Sequence, residues 1–247
     1  MPTFPYYNKK GDRLPGVTWV LGQNLGWSKD ALMRWANKEG LAGRDIRGDR
    51  STVKRAGDIG TAVHTMIEAH AQGWDPVAAA GSQLTDLTEE DQAKVHVGYD
   101  QFKRWFRGNN LVIVGTELYG VDEEYQTGFC LDALALEAAP EPDPNYPASA
   151  QPSGADLALV DWKSSKGTYA DHFIQVSAYA VFAEKKLAAA TGAPCRLSGA
   201  HVLRVSKDHG TFHHTFWSRE LLDDGWRAFT WARALHQIRP TIESYVR

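Results

Sequence analysis

The stretch DLALVDWKSSKG, residues 156–167, decides how the rest of the chain is read. Leu157 to Val160 form a short apolar run that reads as a strand. It delivers Asp161, Trp162 and Lys163 at its end. Side chains alternate along a strand, so Asp161 and Lys163 share one face and Trp162 takes the other. A carboxylate beside an ammonium on a rigid strand can hold a divalent cation and a nucleophilic water together. The same pair also reads as a strand-end ion pair, and Asp-x-Lys alone does not separate the two. Glu184-Lys185-Lys186 repeats the pattern but falls in the back half of a predicted helix.

Upstream, Asp132 ends the segment GFCLD, residues 128–132. If that segment pairs with 156–162 as a hairpin, the Asp132 carboxylate lies beside Asp161. Two carboxylates in a partly buried site repel one another unless a cation sits between them. Further upstream is GTAVHTMIEAH, residues 60–70, in which His64 and Glu68 are four apart and share a helix face. Imidazole suits Mn²⁺ better than Mg²⁺. The pattern is not HExxH, so a zincin protease is not indicated. Downstream, Gln175 and Tyr179 share a face of their helix and can hydrogen-bond a phosphate oxygen or Lys163.

Periodicity places these residues on elements. Leu14–Gln23 is a short apolar stretch, and Ser28 with Asp30 opens a helix through Leu41. Residues 43–55 read as a basic loop or helix entry, and Ala56–Gln72 as a helix with Ile59, Val63, Met66 and Ile67 at helical spacing. Thr88 and Asp91 resemble a capping box opening a helix to about Phe106. The period then changes. Leu111–Tyr119, Gly128–Leu136 and Asp156–Trp162 read as strands. The segment 137–154, with five of the 11 prolines, reads as a protruding loop. Tyr169–Thr191 is a helix stopped by Gly192 and Pro194. Leu197–Val205 and Thr211–Trp217 form a hairpin, and Ser218 caps a last helix running towards Pro240. Helix, three strands, helix, strand pair and helix make an α/β class with a mixed sheet.

Composition bounds the rest. The chain has 247 residues, 43% hydrophobic and 23% charged, which fits one folded domain with a sizeable core. Only Cys130 and Cys195 are present, so a disulfide framework, a four-cysteine zinc site and a four-cysteine iron–sulfur cluster are excluded. No apolar run reaches 18 residues and the N-terminus has no apolar h-region, so neither a membrane span nor a secretory signal is expected. A reduced, cytoplasmic compartment fits. Net charge is −3, but residues 1–55 carry +6, residues 56–161 carry −14 and residues 162–247 carry +5. An acidic middle between basic ends can bind metal at its centre and a polyanion around it, or be plain solvated surface.

Taken in order, Gly60-x-x-x-His64, Gly128-x-x-x-Asp132, Asp161-x-Lys163 and Gln175-x-x-x-Tyr179 resemble the RecB-type branch of the PD-(D/E)XK nuclease superfamily. The likeness covers about residues 56–205. The PGVTWVL segment and the run around Trp35-Ala36 also look like compact, often phage-encoded, members of that branch. The resemblance implies a restriction-endonuclease-like core, a central mixed sheet flanked by helices, preceded by an N-terminal helical segment. One domain would comprise a basic segment (1–55), a catalytic core (56–217) and a C-terminal helix (218–247). It implies Mg²⁺ or Mn²⁺ held by His64, Asp132, Asp161 and the backbone carbonyl of Trp162, with Lys163 orienting the attacking water. Gln175 and Tyr179 would steady Lys163 and the scissile phosphate, and products would carry 5′-phosphates. Arg50, Lys54, Arg55, Ser165 and Lys166 would track the DNA backbone. Glu117 sits where relatives often carry an acidic residue, and core-edge support is its expected role.

The chain departs from the family pattern in three ways. It cannot hold the iron–sulfur cluster of many relatives, it has no helicase P-loop and so no ATP motor, and it carries Asp161 where others have Glu. The expectation is a metal-dependent exonuclease in DNA recombination, repair or phage DNA processing, acting with a recombination partner protein. A structure-specific endonuclease of the same fold, a retired nucleic-acid-binding module and a hydrolase of other substrates stay open. So does the choice between single- and double-stranded DNA.

Overall fold

A computed structural model describes residues 5–27, 29–48, 51–109, 111–137, 156–165, 167–207 and 209–246. Residues 138–155, which hold most of the expected proline-rich loop, lie outside the described residues, as do Arg50 and Lys166. Val17, Val20 and Leu21 recur at helical spacing and bury one side of α1 (Val17–Asn24). Before it runs a two-stranded ribbon, β1 (Tyr6–Tyr7) and β2 (Arg13–Leu14). After it comes α2 (Lys29–Leu41). The 20-residue α3 (Thr52–Ala71) starts at Ser51, whose hydroxyl accepts from the Lys54 amide at 3.1 Å. It buries Ile59, Val63, Met66 and Ile67 as the periodicity requires. Two short helices that the sequence reading did not separate, α4 (Pro76–Ala79) and α5 (Gly81–Thr85), lead to α6 (Glu89–Gly108). Thr88 caps α6 by accepting from the Asp91 amide.

The strands follow. β3 (Leu111–Asp122), β4 (Thr127–Glu137) and β5 (Asp156–Lys163) form an antiparallel meander. α7 (Ala170–Thr191) crosses over, and β6 (Gly199–Val205) pairs parallel to β5. β7 (Phe212–Ser218) closes the edge antiparallel to β6. The spatial order is β3-β4-β5-β6-β7, so one parallel pair makes the sheet mixed. The protein is thus α/β, a five-stranded mixed sheet flanked by helices, as the sequence predicts. Gly192 ends α7 at φ 71°, a left-handed conformation that glycine adopts without steric cost.

The last helix, α8 (Arg219–Ser244), runs through Pro240. Proline forfeits one backbone hydrogen bond. Here the loss falls on exposed terminal turns, where water can satisfy the freed carbonyl.

The sheet separates two apolar layers. On one face α1, α7 and α8 pack Leu21, Phe182 and Phe229 against Leu131 and Leu159. On the other, α3 and α6 pack Met66, Phe102 and Trp105 against Val160 and Trp162. Each such fully buried side chain contributes about 1.5–3 kcal/mol. Helices α7 and α8 cross at Gly225, where a Cβ would collide with Ser177.

Glu184, in the look-alike triplet on α7, is structural. Its carboxylate accepts from Arg219 Nε at 2.7 Å and Nη2 at 3.0 Å, and from the Leu197 amide at 3.0 Å. Arg219 is 6% exposed. Glu184→Ala leaves that guanidinium with only Asp223, and should lower the unfolding free energy by about 3 kcal/mol, read as a lower urea midpoint. An unchanged midpoint would show that the pair does not hold α7 to α8.

Candidate functional site

Cross-strand register builds the centre. The β4–β5 ladder ends at Ala133↔Val160, so the next residues, Asp132 and Asp161, stand opposite one another. They are 2% and 1% exposed. Asp132 Oδ2 accepts from the Trp162 amide at 2.7 Å, a side chain taking over where the backbone ladder stops. Its other oxygen, Oδ1, is buried with no hydrogen-bond partner among the described residues. Lys163 Nζ lies 2.6 Å from Asp161 Oδ2 and forms an ion pair with it.

Burial first, and then the charge of Asp161, raise the Asp132 carboxyl well above the ordinary carboxylate range. Burial likewise raises Asp161, against the pull of Lys163.

Helix α3 brings His64 to the pair, with Nδ1 at 3.9 Å from Asp132 Oδ1. Burial, reinforced by Lys163, depresses the imidazole to about 3, so it is neutral at physiological pH and its contact with Asp132 is not an ion pair. Gly60 sets the approach: a Cβ there would lie 2.7 Å from Ser164 Oγ, just past the end of β5. The glycine four residues before Asp132 has a different reason. Gly128 lies under the Tyr6 ring, which fills the space a Cβ would need. The N-terminal ribbon is thereby seated on β4.

Gln175 and Tyr179 do share a face of α7. Lys163 Nζ donates to Gln175 Oε1 at 3.0 Å. Gln175 Nε2 donates to the Tyr179 hydroxyl at 2.9 Å and to Thr18 Oγ1 on α1 at 3.2 Å. Burial pushes the Tyr179 phenol up, so it stays protonated. Thr18 was not singled out in the sequence; only the fold brings α1 to this chain. His172, in the first turn of α7, was also missed. Burial and the Lys163 charge lower it to about 4.

Glu117 does more than support a core edge. It faces Asp132 across β3 and β4, between the pairs Thr116↔Ala133 and Leu118↔Leu131. Its φ of 49° is in the left-handed region that non-glycine residues avoid. Its carboxylate accepts from Cys130 Sγ at 3.2 Å and adds to the raising of Asp132 and of Glu68.

Of the expected backbone-tracking residues, Arg55 pairs with buried Asp91 and with Glu90, Lys54 pairs with Asp58 at 2.5 Å, and Ser165 bonds the Gly167 carbonyl at 2.8 Å. The buried Trp162 ring packs edge-on against Phe102 and Trp105.

A divalent metal fits the donor chemistry here: a buried Asp132 oxygen without a hydrogen-bond partner, the Asp161 carboxylate beside it and a neutral imidazole. The side chains are not drawn in around it. Among the described residues no three His, Cys, Asp or Glu side chains form a ready cluster. The nearest charge to Asp161 is the Lys163 ammonium.

No family model and no curated protein matches the chain. Among solved structures, a protein of Eubacterium rectale named as a "putative exonuclease" is 9% identical, with a TM-score of 0.42 over 77% of this chain and 68% of that one. The protein SSO0001 is 11% identical, with a TM-score of 0.26 over 83% of this chain and 86% of that one. Neither likeness is close enough to carry a function. Among the described residues no helix is long and apolar enough to cross a membrane.

The buried pair costs the fold stability. A carboxyl whose folded pKa is raised costs stability wherever it is ionised in both states, and the cost fades as pH falls through the folded value towards the unfolded one near 4. Asp132→Asn should therefore raise the melting temperature in EDTA at pH 7 by about 3 °C, with the gain vanishing near pH 4. Melting curves across that range check it; a lower melting temperature at pH 7 would show that the two carboxylates do not repel.

Proposed function

We propose that the protein is a divalent-metal-dependent deoxyribonuclease of the RecB-type PD-(D/E)XK branch, an exonuclease in recombination, repair or phage DNA processing. The observation that carries this reading is the pair of buried carboxylates Asp132 and Asp161, one Asp132 oxygen without a hydrogen-bond partner and the Lys163 ammonium paired to Asp161. A buried like-charge pair is costly as pure structure, and a cation bound to it removes the cost. Asp132, Asp161, His64 and the Trp162 carbonyl would hold Mg²⁺ or Mn²⁺, which supplies charge neutralisation on the phosphate in the transition state.

The rest falls to the protein. Lys163, held by Gln175, points its remaining donors at the attacking water and orients it for in-line attack on phosphorus. Tyr179 and Thr18 fix the Gln175 amide so that its oxygen, not its nitrogen, faces the lysine. Family precedent gives 5′-phosphate ends, and Arg55 and Ser165, with Lys54, Arg50 and Lys166, would follow the DNA backbone.

Digestion of end-labelled linear and circular DNA with Mg²⁺ or Mn²⁺ tests the reading. Linear DNA should be degraded and circles resist. Cut circles would replace the exonuclease with an endonuclease, and no cleavage of either would reject the reading.

Two variants test the roles. Lys163→Ala should lose at least a hundredfold in turnover while calorimetry still detects Mn²⁺ binding, since an ammonium is not a ligand. Loss of Mn²⁺ binding in a folded Lys163→Ala protein would overturn the assigned role. His64→Ala should weaken Mn²⁺ affinity about ten- to a hundredfold, with activity partly restored at high Mn²⁺. An unchanged Mn²⁺ dependence would remove His64 from the site.

A further inference from the structure

A cleft of about 750 Å³ opens where β5 ends. Ser164 and Ser165, the two residues after Lys163, form its inner wall. Thr52 and Arg55 of α3 also line it, with Arg204 of β6 and Lys207, two residues beyond that strand. Arg204 is the key residue. Parallel pairing sets it in register with Lys163, one strand over. Among the described residues its guanidinium has no ion pair or hydrogen bond, whereas Arg55 is held by Asp91 and Glu90. Asp91, the carboxylate of the lining, is 1% exposed; its Oδ2 is held by Arg55 and Thr88, and Lys94 Nζ lies 3.7 Å from its Oδ1. Cations and hydroxyls therefore face a space that begins one residue from the catalytic lysine. Nothing in the motif series points to β6.

We infer that this cleft binds the phosphodiester backbone of one polynucleotide strand, with Arg204 gripping the phosphate next to the one at Lys163, and that the substrate enters as a single strand and not as a duplex. The chemistry of the lining matches a phosphate chain: a planar guanidinium makes two parallel hydrogen bonds to one phosphate, and hydroxyls donate singly. The volume bears on strandedness: it takes a drug-sized ligand, about two nucleotides of one strand. In this reading a duplex frays before its scissile phosphate reaches Lys163. The inference rests on the nuclease reading and adds the substrate's form to it.

The experiment is binding of the full chain to a fluorescein-labelled DNA 12-mer, and to the same sequence closed as a blunt hairpin duplex. Anisotropy is followed in EDTA at several salt concentrations. The single strand should bind at least tenfold more tightly than the duplex. Arg204→Ala should weaken strand binding about tenfold and reduce the slope of log affinity against log salt by about 0.7, one phosphate contact on a single strand. Arg204→Lys should restore the slope and only part of the affinity, because the charge returns without the fork. Melting curves establish that both variants are folded. Equal or tighter duplex binding, or an unchanged salt slope in Arg204→Ala, overturns the proposal. Hydrolysis of bis(4-nitrophenyl) phosphate by the unaltered protein with Mn²⁺ reports on the chemistry separately. Strand preference without hydrolysis would fail the nuclease reading and keep the cleft; hydrolysis without strand preference would do the reverse.

Discussion

Repulsion between Asp132 and Asp161 is the constraint around which the centre of the molecule is arranged. Adjacent antiparallel strands put the two carboxylates opposite one another, and the apolar layers on both sheet faces shut water out. In that setting each charge is costly, and both carboxyls titrate above their ordinary range. Two groups moderate the cost: the Trp162 amide on Asp132 and the Lys163 ammonium on Asp161. Glu117, in a strained backbone conformation opposite Asp132, adds to the cost instead of relieving it. A fold that keeps such an arrangement stores free energy that a bound cation can release.

The surrounding elements keep that arrangement rigid. Lys163 is tied through Gln175 to Tyr179 on α7 and to Thr18 on α1. Helix α7 is in turn tied to α8 by Glu184 and Arg219 and by the close crossing at Gly225. On the opposite face, α3 comes within reach of Ser164 because residue 60 has no side chain. Helices on both faces of the sheet therefore position one residue pair, and small changes in their packing would move His64 or Lys163 away from it.

Much of this was legible in the chain order. The apolar period changes from helical to alternating near residue 111 and back near 169, and the capping residues Thr88 and Gly192 sit where helices begin or end. Such signals are local, because a helix or strand buries a face whose spacing is written within about ten residues. Asp161, Lys163, Gln175 and Tyr179 could be named because their spacings lie within single elements. Helix α8 runs through Pro240 because exposed terminal turns tolerate a missing hydrogen bond that a helix interior would not.

By itself, then, the sequence determined the element types, the mixed α/β class and the residue types able to meet a metal and a phosphate. Only the tertiary structure decided that the β4–β5 register sets Asp132 against Asp161, that Thr18 reaches Gln175, that Gly128 makes room for Tyr6, and that Arg204 stands beside Lys163. These pairs are separated by about 30 to 160 residues. Their meeting depends on strand register and helix crossing, which are settled by how whole faces pack together and leave no periodic trace in the residues concerned.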